Sequence, residues 1–538
     1  MPQNRYLIGI DVGTGSARAG LFDERGLMLA SAKADIVLYR EAGSIVEQSS
    51  AQIWDAVCQS VRAAVRKSAV DPGRIAGIGF DATCSLVVVG PDGAPLPVGP
   101  SNDPQRNIIV WMDHRAVGQA ERINATGHDV LKFVGGVISP EMETPKLLWL
   151  RENRPEVFNA AWQFFDLADF LTWRATGSLA RSICTLTCKW TYLAHENRWD
   201  ASYFSAIGLG MLADEGFSRI GTSVVEPGTA LGHGLTDSAA AELGLLPGTP
   251  VAAGLIDAHA GGVGTVGAMG ADGDATECMA YVFGTSSCTM TTTKGPVFVP
   301  GVWGPYYSAM VPDAWLNEGG QSAAGAAIDQ LLTLHPAAPD AKARAAAQGL
   351  SLPVWLANLA AGKVATLSDV ARLARSVHVV PEFLGNRAPF ADPHARAVIA
   401  GLGMDTDLDS LIRLYIAGLC GIGYGLRQII ETQAAHGAPV KRVMISGGAG
   451  QQDLVRQILA DATGVPVVAT QADEPVLLGS AILGAVAGGV FAKLPTAMAT
   501  MSLPKQTFEP ARDAIEKLHS ARFAAFQRLQ EVARIVRM

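Results

Sequence analysis

The opening segment of the chain alternates short apolar runs with turns rich in glycine and hydroxyl residues. Residues 5–12 favour a β-strand and end at Gly13-Thr14-Gly15-Ser16, after which residues 17–23 resume a strand pattern. Two strands joined by such a short turn predict a β-hairpin, and a further strand is expected from Leu27.

A helix and two more strands are predicted after this hairpin. In residues 50–68 apolar side chains recur at every fourth position and form one stripe, made of Ile53, Val57, Val61 and Val65. That spacing predicts an amphipathic helix. The apolar segments 75–81 and 86–89 predict buried strands, and the second of them ends at a Pro-Asp-Gly turn.

The second half of the chain repeats this order. Residues 279–283 are strand-like and end at Gly284-Thr285-Ser286-Ser287, and residues 288–293 continue as a second strand. Much later, a helix-like stretch over 411–435 precedes a strand over 441–445. The hairpin and the helix-then-strand unit therefore occur once in each half, which indicates an internal duplication of an α/β domain.

The join between the two predicted domains lies where small residues are dense, between Val263 and Met279, and we place the domains at 1–265 and 266–538. The alanine-rich stretch 336–361 is expected to be an inserted helical region. The uncharged segment 476–492 is short for a membrane span and is interrupted by glycines, so a buried helix packed tightly on a sheet is expected there.

Composition narrows the function classes. Of the 538 residues, 49% are hydrophobic and 17% are charged, and the formal net charge is −8 without a long Lys/Arg cluster. A large core is therefore expected, and nucleic acid and membranes are not expected as partners. The N-terminus lacks the apolar core of a signal peptide, which favours a cytoplasmic protein, and a homodimer is left open.

The cysteines fit the same compartment. Seven occur at irregular spacing, which favours reduced thiols over a disulfide framework. Cys184 and Cys188 stand four positions apart, but no second Cys/His pair lies near them in the sequence. A zinc site is therefore not expected from the sequence.

The glycine-rich turns are candidates for phosphate binding. The first could be a Rossmann loop, but that loop must open a helix, whereas a strand is predicted after Ser16. No G-x-x-x-x-G-K-[ST] motif occurs. A hairpin turn can grip phosphate with backbone N–H groups and hydroxyls, although a single one is equally an ordinary β-turn. Two such hairpins, one in each half, indicate a triphosphate held between domains.

Two further features fit such a site. Asp11, at the end of the first strand, could hold Mg²⁺ through water, because Mg²⁺ keeps several of its waters. Gly447-Gly448-Ala449-Gly450 stands between the strand at 441–445 and a helix predicted over 453–463. This glycine-rich junction allows close approach of an adenosine, although a simple strand–helix turn is the alternative interpretation.

Several motifs together resemble the FGGY carbohydrate kinases, within the actin and hexokinase superfamily. The segment 254–262, Gly-Leu-Ile-Asp-Ala-His-Ala-Gly-Gly, looks like the catalytic-base segment of that family. The segments 79–87, 111–115 and 283–287 look like the D-ribulose kinase branch, and 301–306 and 317–322 are also typical of it. The resemblance runs from about residue 5 to residue 490 and implies two duplicated ribonuclease H-like domains with a cleft between them.

The resemblance implies roles by position. Asp257 matches the general base and a metal contact, with Asp11 as the other metal residue. Thr83 and Cys84 lie where relatives touch the sugar, Asp81 is nearby, and Asp113 has a hydroxyl-binding or a structural interpretation. Trp111 is expected in the core, and Cys84 is expected to be a packing or contact residue rather than a nucleophile. The predicted nucleotide-binding residues are Gly13, Thr14, Gly15, Ser16, Gly284, Thr285, Ser286, Gly325, Gly448, Ala449 and Gln452, of which Gln452 departs from the Asn of some relatives.

The expected reaction is transfer of the ATP γ-phosphate to the terminal hydroxyl of a ketopentose, with Mg²⁺ as the metal and D-ribulose as the leading substrate. Another pentulose or a pentitol is the nearest alternative. A chaperone-like ATPase is disfavoured, because no peptide-binding domain follows the second half. A sugar-binding pseudokinase is disfavoured by the joint presence of Asp11, Thr285 and Asp257.

Overall fold

Two mixed sheets organise the chain, one in each half. The computed structural model describes residues 5–269 and 275–537. The N-terminal strands are β1 (Tyr6–Val12), β2 (Ser16–Asp23), β3 (Met28–Asp35), β4 (Tyr39–Glu41), β5 (Ile45–Gln48), β6 (Ile75–Ala82), β7 (Leu86–Val89), β8 (Ile108–Ile109), β9 (Gln163–Asp166), β10 (Arg181–Ser182), β11 (Val224–Val225) and β12 (Leu255–Ile256). The helices of this half are α1 (Ser50–Ser68), α2 (Val117–Ala125), α3 (Glu143–Asn153), α4 (Pro155–Ala160), α5 (Leu167–Thr176), α6 (Ile183–Lys189), α7 (Ala201–Ala206), α8 (Gly210–Asp214), α9 (Asp237–Leu243) and α10 (Asp257–Val266).

The C-terminal half continues the alternation of strands and helices. Its strands are β13 (Cys278–Phe283), β14 (Ser287–Thr293), β15 (Trp303–Tyr307), β16 (Trp315–Gln321), β17 (His378–Val380), β18 (Val398–Ala400), β19 (Arg442–Ser446), β20 (Val467–Thr470) and β21 (Pro504–Phe508). Its helices are α11 (Gly325–Thr333), α12 (Ala338–Ala346), α13 (Leu352–Ala361), α14 (Leu408–Ala435), α15 (Asp453–Thr463), α16 (Pro475–Ala487), α17 (Leu494–Met501) and α18 (Ala514–Val536).

The two central sheets share one topology, which confirms the predicted duplication. The first has the strand order β12-β6-β1-β2-β3, and the second contains β20-β19-β13-β14-β16, with β21 and β15 added at its edges. In each sheet the first strand pairs antiparallel with the second, and the second pairs antiparallel with the third. On its other side, the first strand pairs parallel with β6 in one sheet and with β19 in the other. These strands pair in turn, also parallel, with β12 and β20. Each half is therefore a ribonuclease H-like α/β unit.

The structure agrees closely with the helices predicted from the sequence. Helix α1 and helix α15 begin and end where their periodicity does, and the side chain of Ser49 caps α1 by accepting a hydrogen bond from the Gln52 N–H at 3.4 Å. The inserted helical region is present as α12 and α13. The predicted join overlaps residues 270–274, which lie outside the described residues, so the boundary at 265/266 stays a prediction.

Helices α10 and α16 connect the two halves, because each of them packs on the central sheet of the other half. Helix α10 closes the first half yet packs on β13 and β19, whereas α16, from the second half, packs on β1 and β6. Glycines allow this close approach: a Cβ at Gly79 would lie 1.9 Å from the Ser480 carbonyl oxygen, and one at Gly479 would lie 1.9 Å from that of Ala260. The tight packing on a sheet that was expected of residues 476–492 is thus confirmed for α16. Among the described residues, no helix has the length and apolarity that a membrane crossing requires.

Candidate active site

A cavity of about 840 Å³ lies between the two halves. The first half lines it with Asp11, Gly13, Thr14, Gly15, Ser16, Arg18, Thr83, Cys84, Trp111, Glu141, Lys189 and Asp257 among others. The second half contributes Ser286, Cys288, Trp303, Glu318, Arg387 and Glu474 among others. Most of the residues predicted for phosphate, metal and sugar therefore share one enclosure, although they are far apart in the sequence.

The two glycine-rich turns are similar but differ in length, because four residues separate the paired Val12 and Ala17 whereas three separate the paired Phe283 and Ser287. The Gly13 N–H donates to the Ser16 carbonyl at 3.0 Å, and the Gly284 N–H donates to the Ser286 carbonyl at 2.9 Å. Both turns join antiparallel strands, so the Rossmann alternative is excluded by the structure. The Thr285 carbonyl accepts from the Ala324 N–H at 2.9 Å, which ties the second turn to the start of α11. Of the second turn only Ser286 lines the cavity.

Asp11 ends β1 at the floor of the cavity. The Arg18 guanidinium donates to the Asp11 carboxylate, through Nε at 2.7 Å and through Nη2, and its Nη1 donates to Glu474 at 2.6 Å. Glu474 directly precedes α16, so this ion-pair chain spans the two halves. The Asp11 side chain is consequently fixed in direction.

Asp257 begins α10, directly after β12. One of its carboxylate oxygens accepts from the Ala258 N–H at 2.7 Å, which orients the side chain at the first turn of the helix. Burial, and after it the negative charge of Asp11, raises the pKa of Asp257 to about 6. A carboxylate with a raised pKa is a stronger base than an ordinary Asp, as proton abstraction from a hydroxyl requires.

The predicted sugar contacts line the cavity in part. Thr83 and Cys84 follow β6 and border it, and the Thr83 hydroxyl lies 3.2 Å from that of Ser85. Burial raises the pKa of the Cys84 thiol, which fits a contact residue and not a nucleophile. Trp111 was expected in the core, and it does pack against the core while also bordering the cavity, where its Nε1–H donates to the Thr14 hydroxyl at 3.0 Å.

Two predicted sugar residues do not reach the cavity. Asp81 is fully buried beneath it, where it accepts from the Ser480 hydroxyl at 2.5 Å, and burial together with Asp11 raises its pKa well above the usual range. Asp113 accepts from the Val46 N–H at 2.6 Å and from the Arg115 guanidinium at 2.9 and 2.7 Å. These bonds occupy both of its carboxylate oxygens, so the structural interpretation of Asp113 holds.

Sequence reasoning missed several charged residues that border the cavity. Lys189 ends α6 and is buried; although burial alone would lower its pKa, the neighbouring Cys84 and Glu318 raise it well above the usual value. Although burial alone would raise it, Lys189 and His259 lower the pKa of Glu318 to about 2. A fixed cation and a fixed anion thus face the space beside Thr83. The other missed residues are Glu141, Trp303 and Arg387.

The residues predicted to contact adenosine lie together at a second, smaller cavity. It measures about 250 Å³ and is lined by the four residues predicted there, Gly325, Gly448, Ala449 and Gln452. Its remaining wall is largely apolar and includes Phe283, Ile328, Val354, Tyr415, Leu419 and Val455. A Cβ at Gly448 would meet no atom within 4 Å, so this glycine faces open space. The size of the cavity and its largely apolar wall suit an aromatic base.

Comparisons with known proteins agree with this architecture. Residues 6–264 match the N-terminal domain of the FGGY family of carbohydrate kinases, and residues 279–488 match its C-terminal domain. An FGGY carbohydrate kinase domain-containing protein of Homo sapiens is 47% identical over 98% of this chain and 96% of its own length. A D-ribulokinase of Saccharomyces cerevisiae is 39% identical over 91% of this chain and 73% of its own.

Solved structures show the same fold. A xylulose kinase from Rhodospirillum rubrum superposes with a TM-score of 0.80, at 21% identity, and the match covers 99% of each chain. The two matched domains together span most of the residues, and the cleft between them contains the predicted base. The chain therefore belongs to the FGGY family of carbohydrate kinases and is an ATP-dependent sugar kinase.

Proposed function

We propose that this protein phosphorylates D-ribulose at its terminal hydroxyl, O5, to give D-ribulose 5-phosphate. The similarity to the Saccharomyces cerevisiae D-ribulokinase, at 39% identity over 91% of this chain, carries the choice of sugar. A ribulokinase of Mycolicibacterium smegmatis, 30% identical over 98% of the chain, supports a pentulose as the substrate class.

The polar wall of the large cavity supports the same choice. A sugar presents hydroxyl groups in several directions, and a site that reads them needs donors and acceptors fixed in place. Lys189 can only donate and ionised Glu318 can only accept, whereas the Thr83 hydroxyl can do both. Trp111 and Trp303 add apolar ring surface beside these groups. The set suits a small polyol of about five carbons better than a peptide or a lipid.

Asp257 acts as the general base in the proposed reaction. As the phosphoryl group moves, the carboxylate accepts the proton of the attacking hydroxyl. The exposed N–H groups and hydroxyls of the two hairpin turns orient the phosphates and stabilise their charge, and Arg18 keeps Asp11 in place. Catalysis then consists mainly of positioning and of charge stabilisation in a cleft that excludes water.

The residues present fit Mg²⁺. Asp11 and Asp257 both border the cavity and are close enough for the charge of Asp11 to raise the pKa of Asp257. Two such carboxylates offer the oxygen ligands that Mg²⁺ prefers, with water completing the shell. When bound there, Mg²⁺ would neutralise charge on the transferred phosphate.

The proposed compartment is the cytoplasm. No disulfide joins the seven cysteines, all of which lie in the described part of the chain, and six of them are buried. Reduced thiols in this number suit a compartment that keeps glutathione reduced.

A substrate panel tests the proposal. ADP release is measured with D-ribulose, L-ribulose, xylulose, ribitol, a hexulose and glycerol, and the phosphorylated carbon of each product is assigned by ³¹P-coupled NMR. We expect the highest kcat/KM with D-ribulose and a product phosphorylated at O5. A higher kcat/KM with glycerol or a hexulose would overturn the assignment.

A variant pair tests the sugar wall. Thr83→Ala should lower kcat/KM for the sugar, because one hydroxyl contact is lost. The decrease should correspond to about 1–3 kcal/mol of lost transition-state stabilisation. Thr83→Ser keeps the hydroxyl and should restore most of that loss. The KM for ATP should stay unchanged in both variants, and an effect confined to ATP would remove Thr83 from the sugar site.

A further inference from the structure

A buried cluster of two thiols and one imidazole lies behind the sugar wall. Cys184 and Cys188 stand one turn apart on α6, and His259 extends toward them from α10. The Cys184 sulfur lies 3.1 Å and the Cys188 sulfur 4.0 Å from Nδ1 of His259. All three side chains are fully buried. The sequence did not indicate this cluster, because His259 lies more than 70 positions from either cysteine.

The spacing of the three atoms fits a tetrahedral zinc ion. Zinc bonds of about 2.3 Å to sulfur and about 2.0 Å to nitrogen, at tetrahedral angles, place S and N about 3.5 Å apart. The two sulfur–nitrogen distances given above lie on either side of that value, and the three ligand atoms all lie within 4.8 Å of one another. Among the described residues, no other set of three or more His, Cys, Asp or Glu side chains meets that spacing.

A second observation points to a metal ligand. The other ring nitrogen of His259, Nε2, has no hydrogen-bond partner and faces the Glu318 carboxylate at 3.4 Å. A histidine that binds zinc through one nitrogen commonly directs its other N–H to a carboxylate, which fixes the ring and strengthens the ligand. Glu318 occupies that position, and it also borders the sugar cavity.

Charge balance agrees with this arrangement. Two thiolates and one neutral imidazole carry two negative charges, which a divalent ion cancels in a buried site. Soft sulfur ligands with one imidazole select zinc over Mg²⁺, so the cluster would not compete for the metal of the phosphate site.

We propose that Cys184, Cys188 and His259 form a structural zinc site that joins α6 to α10 and supports Glu318 at the sugar cavity. The fourth position would be completed by a water or another small ligand. The site would fasten the segment carrying Lys189 to the helix that begins with Asp257. It therefore serves to hold the sugar wall against the catalytic base, and it does not depend on which sugar is phosphorylated.

Metal analysis tests this proposal directly. The untagged full chain is produced in zinc-supplemented medium, dialysed to remove loosely bound ions, and analysed by inductively coupled plasma mass spectrometry. We expect about one zinc per chain. Titration with a mercurial thiol reagent should release that zinc to a chromogenic chelator in step with the loss of two thiols. Protein without stoichiometric zinc, or zinc that stays bound after both thiols react, would overturn the proposal.

Variants locate the site. Cys184→Ser and Cys188→Ser should each lose most of the zinc, whereas Cys58→Ser, which changes a buried cysteine of α1, should keep it. Folding of each variant is checked by circular dichroism and by nucleotide binding. Replacement of zinc by cobalt should give thiolate-to-cobalt charge-transfer absorption in the wild type and in Cys58→Ser. Full zinc content in folded Cys184→Ser and Cys188→Ser would place the metal elsewhere and refute the assignment.

Discussion

The pH dependence of catalysis gives a sharp test of Asp257. Its pKa of about 6 compares with an ordinary value of about 3.9 for Asp. The base must be ionised to accept a proton, so activity is lost as the pH falls through this pKa. At pH 5 about one tenth of the enzyme has an ionised Asp257, whereas at pH 7 about nine tenths has. We therefore expect kcat/KM for the sugar to fall about tenfold between pH 7 and pH 5.

The assay follows ADP release at each pH from 5 to 8, with the sugar and MgATP both well below their KM, so that the profile reports the free enzyme, in which Asp257 has a pKa of about 6. Asp257→Asn is the matched control: it should lose about 10²–10⁴-fold in kcat, and its residual rate should show no inflection near pH 6. Asp11→Asn removes the neighbouring charge, so its residual activity should show the inflection at lower pH. A flat wild-type profile down to pH 5, or the same inflection in Asp257→Asn, would refute the assignment.

Three further predictions follow from packing and burial. Gly448→Val should raise the KM for ATP far more than that for the sugar, since a Cβ there enters open space and meets no protein atom within 4 Å; unchanged ATP binding in isothermal titration calorimetry would move the adenosine elsewhere. Asp81 has a raised pKa, so its contribution to stability is present at low pH and declines as the pH rises through that pKa. Asp81→Asn, which keeps an acceptor for Ser480, should make the free energy of unfolding in urea less dependent on pH. An unchanged pH dependence would contradict this. Gly479→Ala should lower the free energy of unfolding by about 1–3 kcal/mol or more, because its Cβ would lie 1.9 Å from the Ala260 carbonyl oxygen; full stability in the same urea titration would show that α10 and α16 are less tightly packed.

Much of the fold could be predicted because local patterns determine it. The four-residue stripe of α1 and the glycine-rich turns after residues 12 and 283 specify elements without help from distant residues. The tight packing of α16 was also visible, since its glycines interrupt an apolar run that is too short for a membrane. The duplication could be inferred because these elements occur in the same order in both halves, whereas no single motif would have revealed it.

The sugar wall could be predicted only in part, because its chemistry depends on contacts between distant segments. Lys189 and Glu318 are about 130 positions apart, and neither stands in a turn that signals a ligand. Asp113 was left open between a hydroxyl contact and a structural role, because the sequence cannot show that the Arg115 guanidinium folds back onto its carboxylate. Trp111 looked like a core residue because a lone tryptophan gives no sign that its N–H reaches Thr14.

Helices α10 and α16 each pack on the sheet of the other half, and this explains how the proposed base, Asp257, would serve both halves. Helix α10 carries Asp257 at its first residue and packs on the second sheet, whereas α16 packs on the first sheet and follows Glu474, the partner of Arg18. Movement of one half against the other must therefore change the packing of this pair, together with the contact of residues 129–134 with β15. Separation of the two helices would lose the close packing of Gly479 on the Ala260 carbonyl, so we expect rotation about the pair rather than opening of the pair. A carboxylate at this axis changes position least when the halves move, and the proton acceptor can stay close to Thr83 and Asp11 while the two phosphate turns approach each other.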